Sequence, residues 1–237
     1  EQDYDAARAV HLHAIASTGE VVLVIPGSAY LPQQFEGASF LLLAVSAQGK
    51  QRWHLPIYAQ DGGGAVQGIW HGPDGMVLAH VMGIDDAQGG GVVGSRHLLH
   101  VIAADGRHMG VEEIARDVQP NMEQLIRAGE QGLESAMAIA GGVVMESVER
   151  IAAQPAAGGG FHVLFERHSD AGERYGHFLY RIGADGAVSQ ERPMNRMIRP
   201  YRLQQWVDFN IDGAQLTLLA SVMADQHGVN SRRKQYR

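Results

Sequence analysis

The chain has 237 residues, of which 45% are hydrophobic and 19% charged, a globular composition long enough to bury a sizeable core. Nineteen basic residues against 26 acidic ones give a formal charge of −7, which argues against a surface that coats nucleic acid. Zero cysteines exclude a disulfide scaffold, a thiol nucleophile and any Cys-ligated metal site, and no apolar run approaches the ~18 residues of a membrane-spanning helix.

The chain opens on Glu1 with no charged-then-apolar segment before it, so a removed leader or a start inside a longer polypeptide is expected. The missing cysteines fit a periplasmic or secreted protein. Beyond Arg8 the sequence alternates short Val, Leu, Ile and Phe runs with glycine turns, the pattern of antiparallel strands. Two turn types recur. Ser17-Thr18-Gly19, Pro73-Asp74-Gly75 and Ile211-Asp212-Gly213 each open one kind of run. Ala47-Gln48-Gly49, Ala104-Asp105-Gly106 and Ala184-Asp185-Gly186 each close another. Asp-Gly is a strong hairpin signal, because glycine takes the positive φ that the turn needs.

Gly19 to Gly49 is 30 residues and Gly75 to Gly106 is 31; in the other direction Gly49 to Gly75 is 26 and Gly186 to Gly213 is 27. One unit is therefore about 55 residues holding four strands, the organisation of a β-propeller blade. The fold class predicted is all-β, a β-propeller-like array of four-stranded antiparallel blades, with one short helical insert. In chain order the strands fall near 10–16, 21–25, 40–45 and 51–57; then 66–70, 76–82, 97–102 and 108–114; then 143–151, 161–167, 178–182 and 187–191; then 203–211 and 214–223. The blades span about 9–58, 65–117, 143–195 and 203–237, with the insert at 118–142. The fourth lacks its last two strands, so about three and a half blades are visible, and the basic tail Ser231–Arg237 shows no strand or helix pattern.

The run Leu41–Val45, the turn Ala47-Gln48-Gly49 and the Trp53 strand resemble bacterial β-propeller repeats in which a strand, an Asp/Asn-Gly turn and a Trp-containing strand follow in order. His97–Ile102 and Phe178–Ile182 with their Ala-Asp-Gly turns carry the same pattern without the Trp. The resemblance implies an architecture and no particular activity. A closed propeller needs at least four complete blades, so the ring is expected to be completed by the remainder of a longer chain or by a protein partner. A compact four-bladed ring closed by the termini and a two-sheet sandwich are the structural alternatives.

The insert changes period. Met122, Leu125, Ile126 and Gly129 fall at helical spacing, so a short helix is predicted near Met122–Arg127, capped by Asn121 with Gln124 at the capping-box position. Inserts in repeat arrays map to loops on one face and often bind something, which makes Met122, Leu125 and Ile126 candidate partner contacts. The competing role is a helix that fills a gap between blades.

Chemical motifs are few. The first strand of a blade lines the central channel of a propeller, and His11, Gln67 and Gln205 each lie eight residues before a turn glycine. With His13 and His71 they form a candidate polar ring for a small ligand. His97 and His100, three apart, fall on opposite faces of one strand and are no ligand set. Glu166, Asp170 and Glu173 read as mixed charges on a hairpin, and Trp53, Trp70 and Trp206 as packing between sheets. Neither a nucleophile elbow nor a phosphate-cradling glycine loop occurs, so no catalytic residue, metal site or cofactor is assigned. The function predicted is a non-enzymatic binding or assembly module acting through its loops and the insert. The alternative is an enzyme, a hydrolase or a quinone- or metal-dependent oxidoreductase, with its site at the channel mouth.

Overall fold

The structure is a computed structural model, and it describes residues 13–15, 19–27, 31–58, 64–86, 92–120, 122–132, 134, 146–169, 176–189, 192–194, 203–213, 215–222 and 234–236. Within these the chain forms four antiparallel sheets and one α-helix. The first sheet holds β1 (His13–Ile15), β2 (Val21–Pro26), β3 (Ala38–Val45) and β4 (Gln51–Tyr58). The second holds β5 (Gly64–His71), β6 (Val77–Asp86), β7 (Val92–Ile102) and β8 (His108–Pro120). Helix α1 (Met122–Gln131) follows, and then the third sheet, with β9 (Glu146–Pro155), β10 (Phe161–Ser169), β11 (Gly176–Ile182) and β12 (Arg192–Pro193). The fourth holds β13 (Leu203–Asp212), β14 (Gln215–Val222) and β15 (Lys234–Tyr236). In every sheet strand neighbours follow chain order, so each is a meander. Four separate sheets take the place of the two that a sandwich would have.

One turn is used repeatedly. Five residues join β1 to β2, β3 to β4, β5 to β6, β7 to β8 and β9 to β10. In the turns 46–50, 72–76, 103–107, 156–160 and 183–187 the first N–H donates to the carbonyl of the fifth residue, and the N–H of the fourth donates back to the carbonyl of the first. That fourth residue is Gly49, Gly75, Gly106, Gly159 or Gly186, each with φ between 76° and 89°. A residue with a Cβ is strained there, so glycine closes the turn. The Oδ1 atoms of Asp74, Asp105 and Asp185 accept from the N–H two residues on, at 3.2, 3.0 and 3.0 Å, which accounts for Asp before the glycine.

The two turns of a sheet pack on each other. A Cβ placed on Gly19, Gly75 or Gly159 would lie 3.1, 2.8 or 2.8 Å from the Cβ of Ala47, Ala104 or Ala184. The turns also seat one sheet on the next: a Cβ on Gly106 would lie 2.6 Å from Cγ of Trp53, and one on Gly186 3.0 Å from Cε of Met109.

The sheets follow one another with their first strands adjoining, β1 beside β5, β5 beside β9 and β9 beside β13. Alternating side chains fill each junction. Val22, Val24 and Phe40 meet Val77, Ala79 and Val81 between the first two sheets. Leu78, Leu99 and Ile114 meet Phe161, Val163 and Phe165 between the second and third. Leu164 and Met194 meet Phe209, Leu216 and Leu218 between the third and fourth. Each fully buried side chain of this size contributes about 1.5–3 kcal/mol. Asp74 Oδ2 accepts from the N–H of Gly160 at 3.2 Å, and the side-chain amide oxygen of Gln154 accepts from the N–H of Ile211 at 2.8 Å, so polar contacts tie successive sheets as well.

The structure corrects the sequence reading at four places. The tail is not patternless: Leu216 pairs with Tyr236 and Leu218 with Lys234, so β15 gives the fourth sheet a third strand. Backbone pairing along β14 satisfies main-chain groups whatever the side chains, which is why no pattern announced it. The fourth strand expected near 187–191 is instead an isolated bridge, Ile182 to Val188, followed by the two-residue β12. Pro193 has no N–H to extend that ladder. Val118–Pro120, expected in the insert, belong to β8. Helix α1 runs through Gly129 to Gln131 and stops before Gly132, whose φ is 122°. The exposed Gly129 costs about 1 kcal/mol without breaking the helix.

Candidate functional site

The predicted polar ring is only partly described. His11 and the side chains of His13 and Gln205 lie outside the described residues. His13 falls on β1 opposite Leu23, and Gln205 on β13 opposite Ser221. Gln67 is exposed and is the extra residue where the β5–β6 register shifts between Val66 and Gly68. His71 is more firmly placed, its side chain only 4% exposed. Its Nδ1–H donates to the carbonyl of Gly72 at 3.1 Å, and its Nε2 lies 3.3 Å from Glu20 Oε1 in the first sheet. Glu20 Oε2 in turn lies 3.9 Å from Arg52 Nε. His71 thus ties the second sheet to the first.

Of the candidate partner contacts, Met122 and Leu125 have side chains outside the described residues, as does the capping Asn121. Ile126 is 58% exposed, and the described neighbours Arg127, Gly129, Glu130, Gln131, Gly132 and Glu134 are exposed too.

The polar groups the sequence did not bring together are four histidines of the second sheet. Alternation sends His97 and His100 to opposite faces of β7, as expected, and each meets a second histidine there. His80 Nε2 lies 3.1 Å from His97 Nδ1, with the rings stacked at a centroid distance of 5.3 Å. Register pairs His80 with Leu99 and Met82 with His97, so this pair shares the face of Leu78 and Leu99 and looks toward the third sheet. On the other face His100 Nδ1 lies 3.1 Å from His108 Nε2, with centroids 5.2 Å apart, and Phe40 of the first sheet meets His100 edge-on.

His80 Nδ1 is buried with no hydrogen-bond partner. An orphaned lone pair costs less than an orphaned N–H donor, so His80 carries its proton on Nε2 and donates to His97. Burial, followed by repulsion from His97, lowers the His80 pKa from 6.5 to about 4. His177 is lowered to about 4 by burial, which outweighs a Glu166 carboxylate at 3.8 Å, too distant for a hydrogen bond. His162 is also lowered, by burial first and Arg181 second. Arg167 of β10 is buried between the second and third sheets; its Nη1 donates to the carbonyl of Ile114 at 2.9 Å and its guanidinium lies 4.2 Å from the Phe178 ring centroid.

The two histidine pairs and Arg167 sit at the junctions between sheets, where neighbouring side chains orient them. Among the described residues no group of three or more His, Asp or Glu is arranged to hold a metal ion. One signal for the His100–His108 pair was present in the sequence: folding the hairpin about Asp105-Gly106 brings the two together. The His80–His97 register depends on the glycine-rich loop Gln88-Gly89-Gly90-Gly91, whose length does not fix a turn type.

What the fold and these groups define is a mostly β chain, with four antiparallel sheets and one helix among the described residues. The chain matches no known family profile and no curated protein. Among solved structures it is similar to an acylaminoacyl peptidase in complex with Z-Gly-Gly-Phe-chloromethyl ketone, at 10% identity and a TM-score of 0.30. That match covers 95% of this chain and 38% of the other, and at this TM-score it assigns no fold. No described helix is long and apolar enough to cross a membrane.

Proposed function

We propose that the chain is a β-propeller-like, non-enzymatic binding or assembly module of a periplasmic or secreted protein, which contacts a protein partner through its loops and helix α1. The meander in each sheet, the adjoining first strands and the repeated five-residue turn support the propeller reading. One observation carries the binding role. Five residues separate β4 from β5 and nine separate β12 from β13, but 25 separate β8 from β9, and that stretch holds a helix with Ile126 58% exposed. A connection needs no such length to reach the next sheet, and an exposed isoleucine on a helix offers apolar area to a partner.

A photo-crosslinking amino acid at position 126 of the full protein in its native host tests this. A discrete adduct with one protein, absent when the same group sits at the exposed turn residue Asp105, is the expected result. The same adducts from both positions, or none from 126, overturn it.

A further inference from the structure

We propose that the His80–His97 pair is an acid-sensitive latch: proton uptake by this pair opens the junction between the second and third sheets. In the neutral pair His80 Nε2–H is donated and His97 Nδ1 accepts it across 3.1 Å. The incoming proton therefore goes to the lone pair on His80 Nδ1. That atom is buried with no hydrogen-bond partner, so the proton creates an orphaned donor and a buried charge.

The charged groups around the pair come from several elements. Among the described residues of the third sheet, Arg167 faces this junction, anchored on the carbonyl of Ile114. Ile114 is the neighbour of Ala115, which stands opposite His97. From β8 the register places half-buried Glu112 opposite Leu99 and exposed Arg116 opposite Arg96. From β5 the facing residues are Gly68 and Trp70, which carry no charge. Glu166 and His177 stand opposite each other on β10 and β11, and Arg150 opposite Glu166 on β9, all on the Leu164 side that faces the fourth sheet.

The test is native-state hydrogen exchange of the whole chain at pH 7.5 and 5.0, corrected for the intrinsic rate. The expected result is a loss of protection of about 10-fold or more in β6, β7 and β10, with β2 and β3 changing less. His80→Gln keeps an amide donor at the Nε2 position and cannot titrate, so it should hold its protection at pH 5.0. Equal loss in every sheet, or the same acid loss in His80→Gln, overturns the latch. Should that variant not fold, NMR titration of the His80 ring in the unaltered protein decides. Protonation near pH 4 that coincides with opening supports the latch, and protonation near 6.5 without opening overturns it.

Discussion

The third and fourth sheets are built to the same meander, yet their second strands are buried differently. In β10 Phe161, Val163, Leu164 and Phe165 are all fully buried, because one face packs on the second sheet and the other on the fourth. In β14 Leu216 and Leu218 are buried against the third sheet, while Leu219 on the other face is 56% exposed beside exposed Asp208. A strand between two sheets reads as a continuous apolar run, and a strand with one covered face reads as alternation. The first sheet has a third arrangement. Its face away from the second sheet carries Ile25, Leu41 and Leu43, covered by Phe35 from its own connection between β2 and β3.

The sharpest way to break this contrast is Phe165→Ala. It removes a ring packed on Phe178 and Tyr180 and should destabilise the chain by about 3–5 kcal/mol in denaturant unfolding. A loss under about 1 kcal/mol would mean that the junction collapses to fill the space.

Acid should act next in size, and on the buried junctions first. The folded pKa of His80 and of His177 is about 4 against 6.5 unfolded, so between those values the unfolded chain binds more protons. The contribution of these two rings is full above pH 6.5, falls as pH drops toward 4 and levels off below it. His80 accounts for about 3 kcal/mol of that fall, and His177, with more solvent contact, for less. Unfolding midpoints measured from pH 7.5 to 4 check the slope, and a flat profile contradicts the burial of both rings.

Gly106→Ala sharpens the comparison at the turns. The new methyl needs a positive φ and meets Trp53, so a loss of about 2–3 kcal/mol is expected. Gly49→Ala has a similar φ with nothing within 4 Å, so it should lose only about 1 kcal/mol. The difference between the two isolates the contact between the first and second sheets, and equal losses would remove that contact from the account. The smallest effect belongs to Leu219→Lys, expected within about 0.5 kcal/mol of no change on an exposed face. A larger loss would show that something covers Leu219.

The sequence was most legible where local chemistry dictates the backbone. The Asp-Gly and Ala-x-Gly turns located both ends of most strands, since few residues other than glycine fit the fourth turn position. Legibility failed at β12 and β15, edge pieces of two and three residues held by main-chain pairing that leaves no side-chain signature. It failed at the C-terminal end of α1, where Gly129 weakens the helix on propensity but sits inside a turn already nucleated. The histidine pairs were half legible: parity put His97 and His100 on opposite faces, but the partners are set by register across hairpins. The candidate ring could be read only by counting residues to a glycine, and the bulge at Gln67 shows how one extra residue upsets such counting.

In the first three sheets the five-residue turns join the first strand to the second and, in the first two, the third to the fourth, and the 25 residues carrying α1 leave β8 at the end opposite the turn 103–107. One end of these sheets is thus built on a repeated turn, and the other carries connections of unequal length. Connections at that second end can be lengthened or shortened without disturbing a glycine turn, which makes them the natural places for insertions.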